Sequence, residues 1–534
     1  MLKSPILNTD KKSAGSNLKA DRVKVLIVVN SHASFREMKQ VAQLLINSRR
    51  YHPVILMDDP KYNYEKEISI CRAESIDYLC PRVMLTLQQA GLSTNPANRV
   101  SFLRRVKEAV KHSTKTGSFV RYTLAFVWEN LVSFRYSLPG ALIEFMLLYC
   151  EILHQRSLTK KIKPGILVLP SADCGHLAIV TKVAAEQGIP SVVIPYAIIN
   201  STVSLKQAMA VPRMSLNRWD CRLVSWIYPQ WSGEYQGRKM LASDVSKILS
   251  VEWLGLSLPK PWGDFLGRAD VLAVESRCMW QLYERAGLDR EKYVLTGALS
   301  DDVIFSNRRD SFGPREVLYK ELDLPLGRPL ILVSITPDQS LADHPGTEFN
   351  TYEQIVGFIM HVVSGAKGYN VIVSPHPRAD SNVIKRFLSN NARVVDVSIE
   401  SLMPLADIFI AEPSSTFRLA IACSTPAICY DMWGYEFPEF ESEEGIITVE
   451  TMAEFESILS RLVSDSSYYK NVKDHQAARS EEWAILDGRS GERILSLFDR
   501  MVGIAVQVNL LVPPTPNGLV LPDKSMVRTQ SGEP

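Results

Sequence analysis

Three short apolar runs inside one stretch, residues 366–430, constrain this chain more than any other feature. Asn370–Ser374, Asp407–Ala411 and Ala427–Tyr430 are rich in β-branched and aliphatic residues and are bounded by Pro, Gly or Ser. Runs this short and this uniformly apolar suit parallel strands buried on both faces. Polar loops follow the first two. One reads Pro375-His376-Pro377-Arg378. The other reads Glu412-Pro413-Ser414-Ser415-Thr416 and opens a helix over Phe417–Cys423. Open α/β sheets bind ligands outside the carboxyl ends of their strands. His376, Arg378, Ser414, Ser415 and Thr416 are therefore expected to face one crevice as a phosphate cradle. Hydroxyls and backbone N–H groups at a helix start hold an anion, and a cationic or donor side chain completes the set. Glu412, at the head of the second loop, would accept ribose hydroxyls were the bound anion that of a nucleotide. Taken singly, a Ser-Ser is commonly an N-cap and a His-Pro a turn. The case rests on two such loops after strands of one sheet.

The chain has 534 residues, enough for two or three domains. Hydrophobic residues at 46% and charged residues at 22% match a globular protein. Lys and Arg number 60 against 58 Asp and Glu, so no global charge argues for nucleic acid and any anion selectivity must be local. The eight Cys show no C-x-x-C spacing and no accompanying His cluster, which implies a reducing compartment, no disulfide frame and no zinc site. The N-terminus lacks the apolar core of a signal peptide. No uncharged apolar run reaches the ~18 residues of a spanning helix.

Residues 1–20 read as a disordered leader and 506–534 as a disordered, Pro-rich tail. Between them, 21–265 form a first Rossmann-like domain with a helical insertion, and 266–505 a second. The first opens with a buried strand over Val23–Asn30, the loop Ser31-His32-Ala33-Ser34, a helix over Phe35–Asn47 and a strand over Val54–Met57. It carries no G-x-G-x-x-G, so a dinucleotide fingerprint is absent. A second βαβ unit runs from Ile166–Leu169 through a helix over Leu177–Gln187 to Ser191–Pro195, with Asp173 and His176 at a strand's carboxyl end. The aromatic, Leu-rich segment Phe119–Leu153 reads as a core helix pair broken at Pro139-Gly140. The alternative is a surface that meets an anionic membrane, with Lys160, Lys161 and Lys163 beside it. Residues 200–260 read as irregular structure and short helices.

Two tandem Rossmann-like domains facing a cleft resemble the GT-B fold of nucleotide-sugar glycosyltransferases. Tyr293-Val294-Leu295-Thr296-Gly297-Ala298-Leu299-Ser300-Asp301 is similar to the "TGN…D" segment of UDP-N-acetylglucosamine 2-epimerases and their transferase relatives. His376-Pro377 with Ser414-Ser415 resembles the His-Pro and Ser-Ser motifs of bacterial sialyltransferases, polysialyltransferases and CDP-glycerol glycerophosphotransferases, where they hold the nucleotide phosphates. Asp487-Gly488 to Arg493-Ile494 resembles the superfamily's "DG…RI" closing segment. There are departures. No carboxylate follows the strand at Ser191–Pro195, and Thr336-Pro337-Asp338 stands where the epimerases carry His-Arg, which argues against epimerisation. The sialyltransferase motif that carries the base has no clear match in residues 22–260.

The resemblance implies a metal-independent transferase without a cofactor, which moves a sugar from a CMP-, CDP- or UDP-linked donor. The acceptor would be a bacterial surface glycan, such as capsule or lipopolysaccharide, or its lipid-linked precursor. The work would be done in the cytoplasm or peripherally at the inner face of the membrane. Asp173 is the first candidate for the base that activates the acceptor hydroxyl, followed by His176 and His32. A glycerophosphotransferase and a non-catalytic scaffold of an assembly complex are the rival readings.

Overall fold

The computed structural model describes residues 22–58, 63–80, 136, 138, 140–171, 175–198, 208–209, 211–235, 237–258, 261–262, 267–308, 312–338, 347–376, 378–435 and 438–504. The expected leader and the whole of the expected tail lie outside them, as do Asp173 and most of the Phe119–Leu153 segment.

The first sheet is parallel throughout. It is built from β1 (Val23–Val29), β2 (Tyr51–Met57), β3 (Asp77–Leu79), β4 (Ile166–Leu169) and β5 (Ser191–Val193). An antiparallel hairpin, β6 (Ser232–Tyr235) and β7 (Arg238–Leu241), stands apart from it. The sheet then takes β8 (Val271–Val274) and β9 (Tyr293–Leu295), in the order β3-β2-β1-β4-β5-β8-β9. The second sheet, also parallel, holds β10 (Leu330–Ser334), β11 (Asn370–Val373), β12 (Ala392–Val394), β13 (Ile408–Ala411), β14 (Ala427–Tyr430) and β15 (Ile446–Val449), in the order β12-β11-β10-β13-β14-β15. That is the doubly wound order, whose ligand crevice lies where the winding reverses. In the two sheets this point falls between β1 and β4 and between β10 and β13.

The expected division at residue 266 thus falls inside the first sheet, since β8 pairs with β5 and β9 with β8. The second sheet opens only at Leu330. The chain also returns: Ile494, Leu497 and Phe498 of the last helix, Ser490–Met501, pack with Val25, Ile27 and Leu45 of the first domain. Another apolar cluster runs without a break from Leu26, Leu167 and Leu272 to Leu332, Phe409 and Trp483, so the two domains share a packed seam.

The first helix, His32–Ser48, positions one wall of the cleft. Ser31 caps it: its Oγ accepts the Ser34 N–H, and Ser34 returns the contact to the Ser31 N–H, a capping box. Phe35, Met38, Val41, Ala42 and Leu45 recur at three- and four-residue spacing and are buried against the sheet. Arg36, Glu37 and Gln40 thereby point toward the second domain, and the Gln40 amide donates to Glu400 at 2.8 Å.

Candidate active site

The second-domain wall is set by the carboxyl ends of β10, β11, β13 and β14. His376 follows β11, and its backbone N–H donates to the Ile335 carbonyl beyond β10 at 2.9 Å. Its ring Nδ1 accepts the Arg378 backbone N–H at 3.1 Å, so the ring proton sits on Nε2. Burial, then the charges of Arg378 and Arg36, push its pKa down to about 4. His376 is therefore a neutral donor through Nε2 at physiological pH, not a cation. The positive charge belongs to Arg378, which is exposed, and to Arg36 from the opposite domain, whose charge acts on the same imidazole.

Ser414, Ser415 and Thr416 are half-buried at the end of β13. Ser414 Oγ lies 2.9 Å from Thr416 Oγ1 and accepts the Thr416 N–H at 3.2 Å, a local turn that holds both hydroxyls together. Thr416 occupies the cap position of the helix Phe417–Ala422 but makes no side-chain cap bond. β10 lies between β11 and β13, so these loops stand two strand spacings apart, about 10 Å.

Glu412 is placed differently from the expected ribose ligand. It is buried, and it accepts the Thr336 N–H at 3.1 Å, the Thr336 hydroxyl and the Trp433 indole N–H at 2.6 Å. It ties the ends of β10, β13 and β14 together. Burial raises its pKa against the pull of those donors. Beside β10 and β11, a cavity of about 510 Å³ is lined by Asp338, Tyr352, Glu353, Arg378 and Asp380 among others.

The first-domain wall carries two His–carboxylate pairs. His32, in the first turn after β1, has its Nδ1 2.7 Å from Glu67 Oε1. It lies one helical turn before Arg36 on the same face. His176, after β4, has its Nδ1 2.8 Å from Glu151 Oε1, on the helix Gly140–Ile162.

Between the walls sits an acid-rich group that sequence reasoning missed. Arg418, in the short helix after the Ser-Ser-Thr loop, is 7% exposed. It pairs with Asp301 at 2.7 Å, and donates to Ser300 Oγ at 2.8 Å and to the Trp483 carbonyl at 3.2 Å. Glu37, half-buried by area but set deep between the domains, is pushed up to about 8 by desolvation, then by the charge of Glu400. Glu275, after β8, is pushed up to about 7 by burial, while Arg418 pulls the other way. No spacing rule links residues 37, 275, 301 and 418, so no local signal could have shown this group.

The two segments that resemble superfamily motifs interlock. Arg493 Nε donates to the Thr296 carbonyl at 2.7 Å and its guanidinium pairs with Asp487 at 2.7 and 2.9 Å. Asp302 accepts the N–H groups of Ser490 and Gly491 at 2.9 and 2.8 Å. These residues join the crossing chain to the first domain and form the seam beneath the cleft.

No protein-family model matches the chain, and no curated protein matches it in sequence. Solved structures do. A protein from Listeria monocytogenes, provisionally described as a UDP-N-acetylglucosamine 2-epimerase, superposes with a TM-score of 0.50 at 8% identity, over 92% of this chain and 99% of that one. The Neisseria meningitidis UDP-GlcNAc 2-epimerase, bound to UDP-GlcNAc, gives 0.46 at 11%, over 89% and 100%. A Rickettsia africae glycosyltransferase gives 0.43 at 12%, over 91% and 100%. At 8% identity the likeness concerns the fold. With the two doubly wound sheets and their facing carboxyl edges, it defines a GT-B architecture.

Proposed function

We propose that this chain is a glycosyltransferase that moves a sugar from a CMP-, CDP- or UDP-linked donor to an acceptor hydroxyl. Two observations support the reading: a neutral donor, His376, lies under the charges of two arginines from opposite domains, Arg378 and Arg36, and the hydroxyls of Ser414 and Thr416 stand two strands away on the same sheet edge. Such a set stabilises a departing phosphate by hydrogen bonds and fixed charge. Neutral His376 fits this role: it donates Nε2–H to a phosphate oxygen without having to be charged beside two arginines. Ser415, next in the same loop, joins the cradle in this reading. Glu412 keeps it rigid rather than touching the ribose.

For the base, His32 is favoured. Glu67 orients its ring as the acid of a His–carboxylate dyad does and would stabilise the imidazolium formed when Nε2 takes the hydroxyl proton. His32 also stands one turn from Arg36, on the face turned to the donor side. His176, which follows β4 on the same edge, and Asp173, three residues before it in the sequence, are the alternatives for this role.

The acceptor in this reading is lipid-linked or a nascent surface glycan, met at an anionic membrane. Leu142, Met146, Trp219 and Trp226 are 65%, 66%, 65% and 81% exposed on two helices, Gly140–Ile162 and Trp219–Ile227, that both pack on the helix Val245–Trp253. A Trp-bearing apolar face with a basic residue, Arg222, on the same helix suits an interfacial position. Among the described residues, no helix is long and apolar enough to cross a membrane.

The test is calorimetric titration with CMP, CDP, UMP, UDP and GDP, on wild type and on His376→Ala. Selective binding of one nucleotide, about ten-fold or more weaker in the variant, is the expected result. A response confined to CDP would favour glycerophosphate transfer. Silence from folded protein toward all five would overturn the cradle and favour a non-catalytic scaffold.

A further inference from the structure

The carboxyl edge of the first sheet holds a second group of side chains, apart from the His32–Glu67 pair. Asp58 follows β2, His176 follows β4, and Glu151 projects from the helix Gly140–Ile162, which packs against the helix His176–Glu186. One ligand atom from each lies within 4.8 Å of the other two. His154, one turn beyond Glu151, brings Nε2 to 3.6 Å from Asp58. The side chains of Asp58 and His176 are 7% and 8% exposed, and Glu151 at 29% leaves a way in from solvent.

A second, independent feature marks the same place. Gln155 is fully buried, and its amide N–H donates to Asp58, while its Oε1 has no donor among the described residues. Asn30 continues β1, which lies between β2 and β4. The pairing of Val29 with Met57 sets it beside Asp58, and its Oδ1 is likewise buried without a donor. The edge thus concentrates two carboxylates, two imidazoles and two unmatched amide oxygens. A buried group so rich in acceptors is costly unless a cation or a donor matches it.

From this arrangement we infer that Asp58, Glu151 and His176 form a binding site for a divalent first-row transition metal ion, with His154 as an available fourth ligand. The mixed carboxylate and imidazole set selects the Mn²⁺-to-Zn²⁺ class over Mg²⁺ and Ca²⁺, which prefer all-oxygen shells. The His176–Glu151 contact of 2.8 Å is a hydrogen bond, and an ion entering between them would replace its proton and spread the two atoms to about 3.0–3.4 Å. Gln155, which holds Asp58 from behind, orients a ligand as outer-shell partners do. The sequence shows no metal-type spacing here because the ligands come from three elements: Glu151 is 25 residues from His176, and Gln155 is 97 from Asp58. The site stands on these residues whether or not the cleft transfers sugars.

Chelator-stripped full-length protein would be titrated with Co²⁺, followed by its ligand-field absorption, and with Zn²⁺ and Mg²⁺ by calorimetry. The expected result is one equivalent of Co²⁺ with a protein-induced band, displaced by Zn²⁺ and not by Mg²⁺. Glu151→Gln and Asp58→Asn, which keep side-chain shape, should each weaken uptake about ten-fold or more. His52→Gln, at the separate surface pair with Asp77, should leave it unchanged. A wild-type protein that develops no band overturns the assignment without recourse to any variant. So does stoichiometric uptake that survives both substitutions in protein that melts like wild type.

Discussion

At the scale of single residues, the cleft depends on side chains that are committed to one another. Arg418 and Asp301 are a buried ion pair whose remaining polar atoms are bonded to Ser300, Trp483 and Ile485. Arg418→Ala leaves Asp301 charged and unmatched between the domains. A loss of about 3–5 kcal/mol is expected, read from the midpoint of urea unfolding. Gly297 has a φ of +75°, and a Cβ there would stand 2.4 Å from Ser490 Oγ. Gly297→Ala should therefore cost about 1 kcal/mol or more, part of it recovered in a Gly297→Ala, Ser490→Ala pair. His376, Arg378 and the Ser-Ser-Thr loop were legible in the sequence because short loops after buried strands have only one edge to occupy. The neutrality of His376 and the burial of Glu412 and Arg418 were not. Each depends on which neighbours the other strands and the other domain supply.

Among the elements, buried parallel strands were the most legible, since a run such as Ile166–Leu169 or Ala427–Tyr430 admits little else. β2 begins at Tyr51, ahead of Pro53, where a reading that treats Pro as a strand breaker starts too late. The short strands β3 and β12 at the sheet edges carry too little apolar pattern to stand out. The helix Gly140–Ile162 differs most from expectation. Read chiefly as core, it buries Ile152, Gln155 and Thr159 yet exposes Leu142, Ile143, Met146 and Leu147. A helix that is apolar on nearly all sides gives no moment from which to tell its buried face. Leu142→Glu with Met146→Glu should change folding stability by no more than about 0.5 kcal/mol, as exposed substitutions do. Binding to vesicles rich in anionic lipid should fall sharply in a flotation assay. Undiminished flotation would remove this face from the proposed membrane contact.

Over the whole molecule, two domains close on a group of acids that meet only when the fold is complete. Glu37 and Glu275 are pushed up to about 8 and about 7, so the folded protein binds their protons more tightly than the unfolded chain does. Their contribution to stability is full below the ordinary carboxyl range and is lost as pH rises through those values. His376, held down to about 4, works in the opposite sense, and its effect is complete by about pH 6.5. Between about pH 6.5 and 8 the acids act alone among these three. The melting temperature should fall across that window, and Glu37→Gln should flatten the fall. An unchanged slope in the variant would show that Glu37 does not carry it. By itself, the sequence determined the fold class, most strands and the position of the loops after β11 and β13 on the sheet's carboxyl edge, because burial on both faces and the edge rule act through neighbours in the chain. Only the tertiary structure decided the Glu37–Glu275–Arg418 group, the meeting of Asp58, Glu151 and His176, and the return of the last helix to the first domain. Long-range packing and desolvation set those, and no local pattern encodes them.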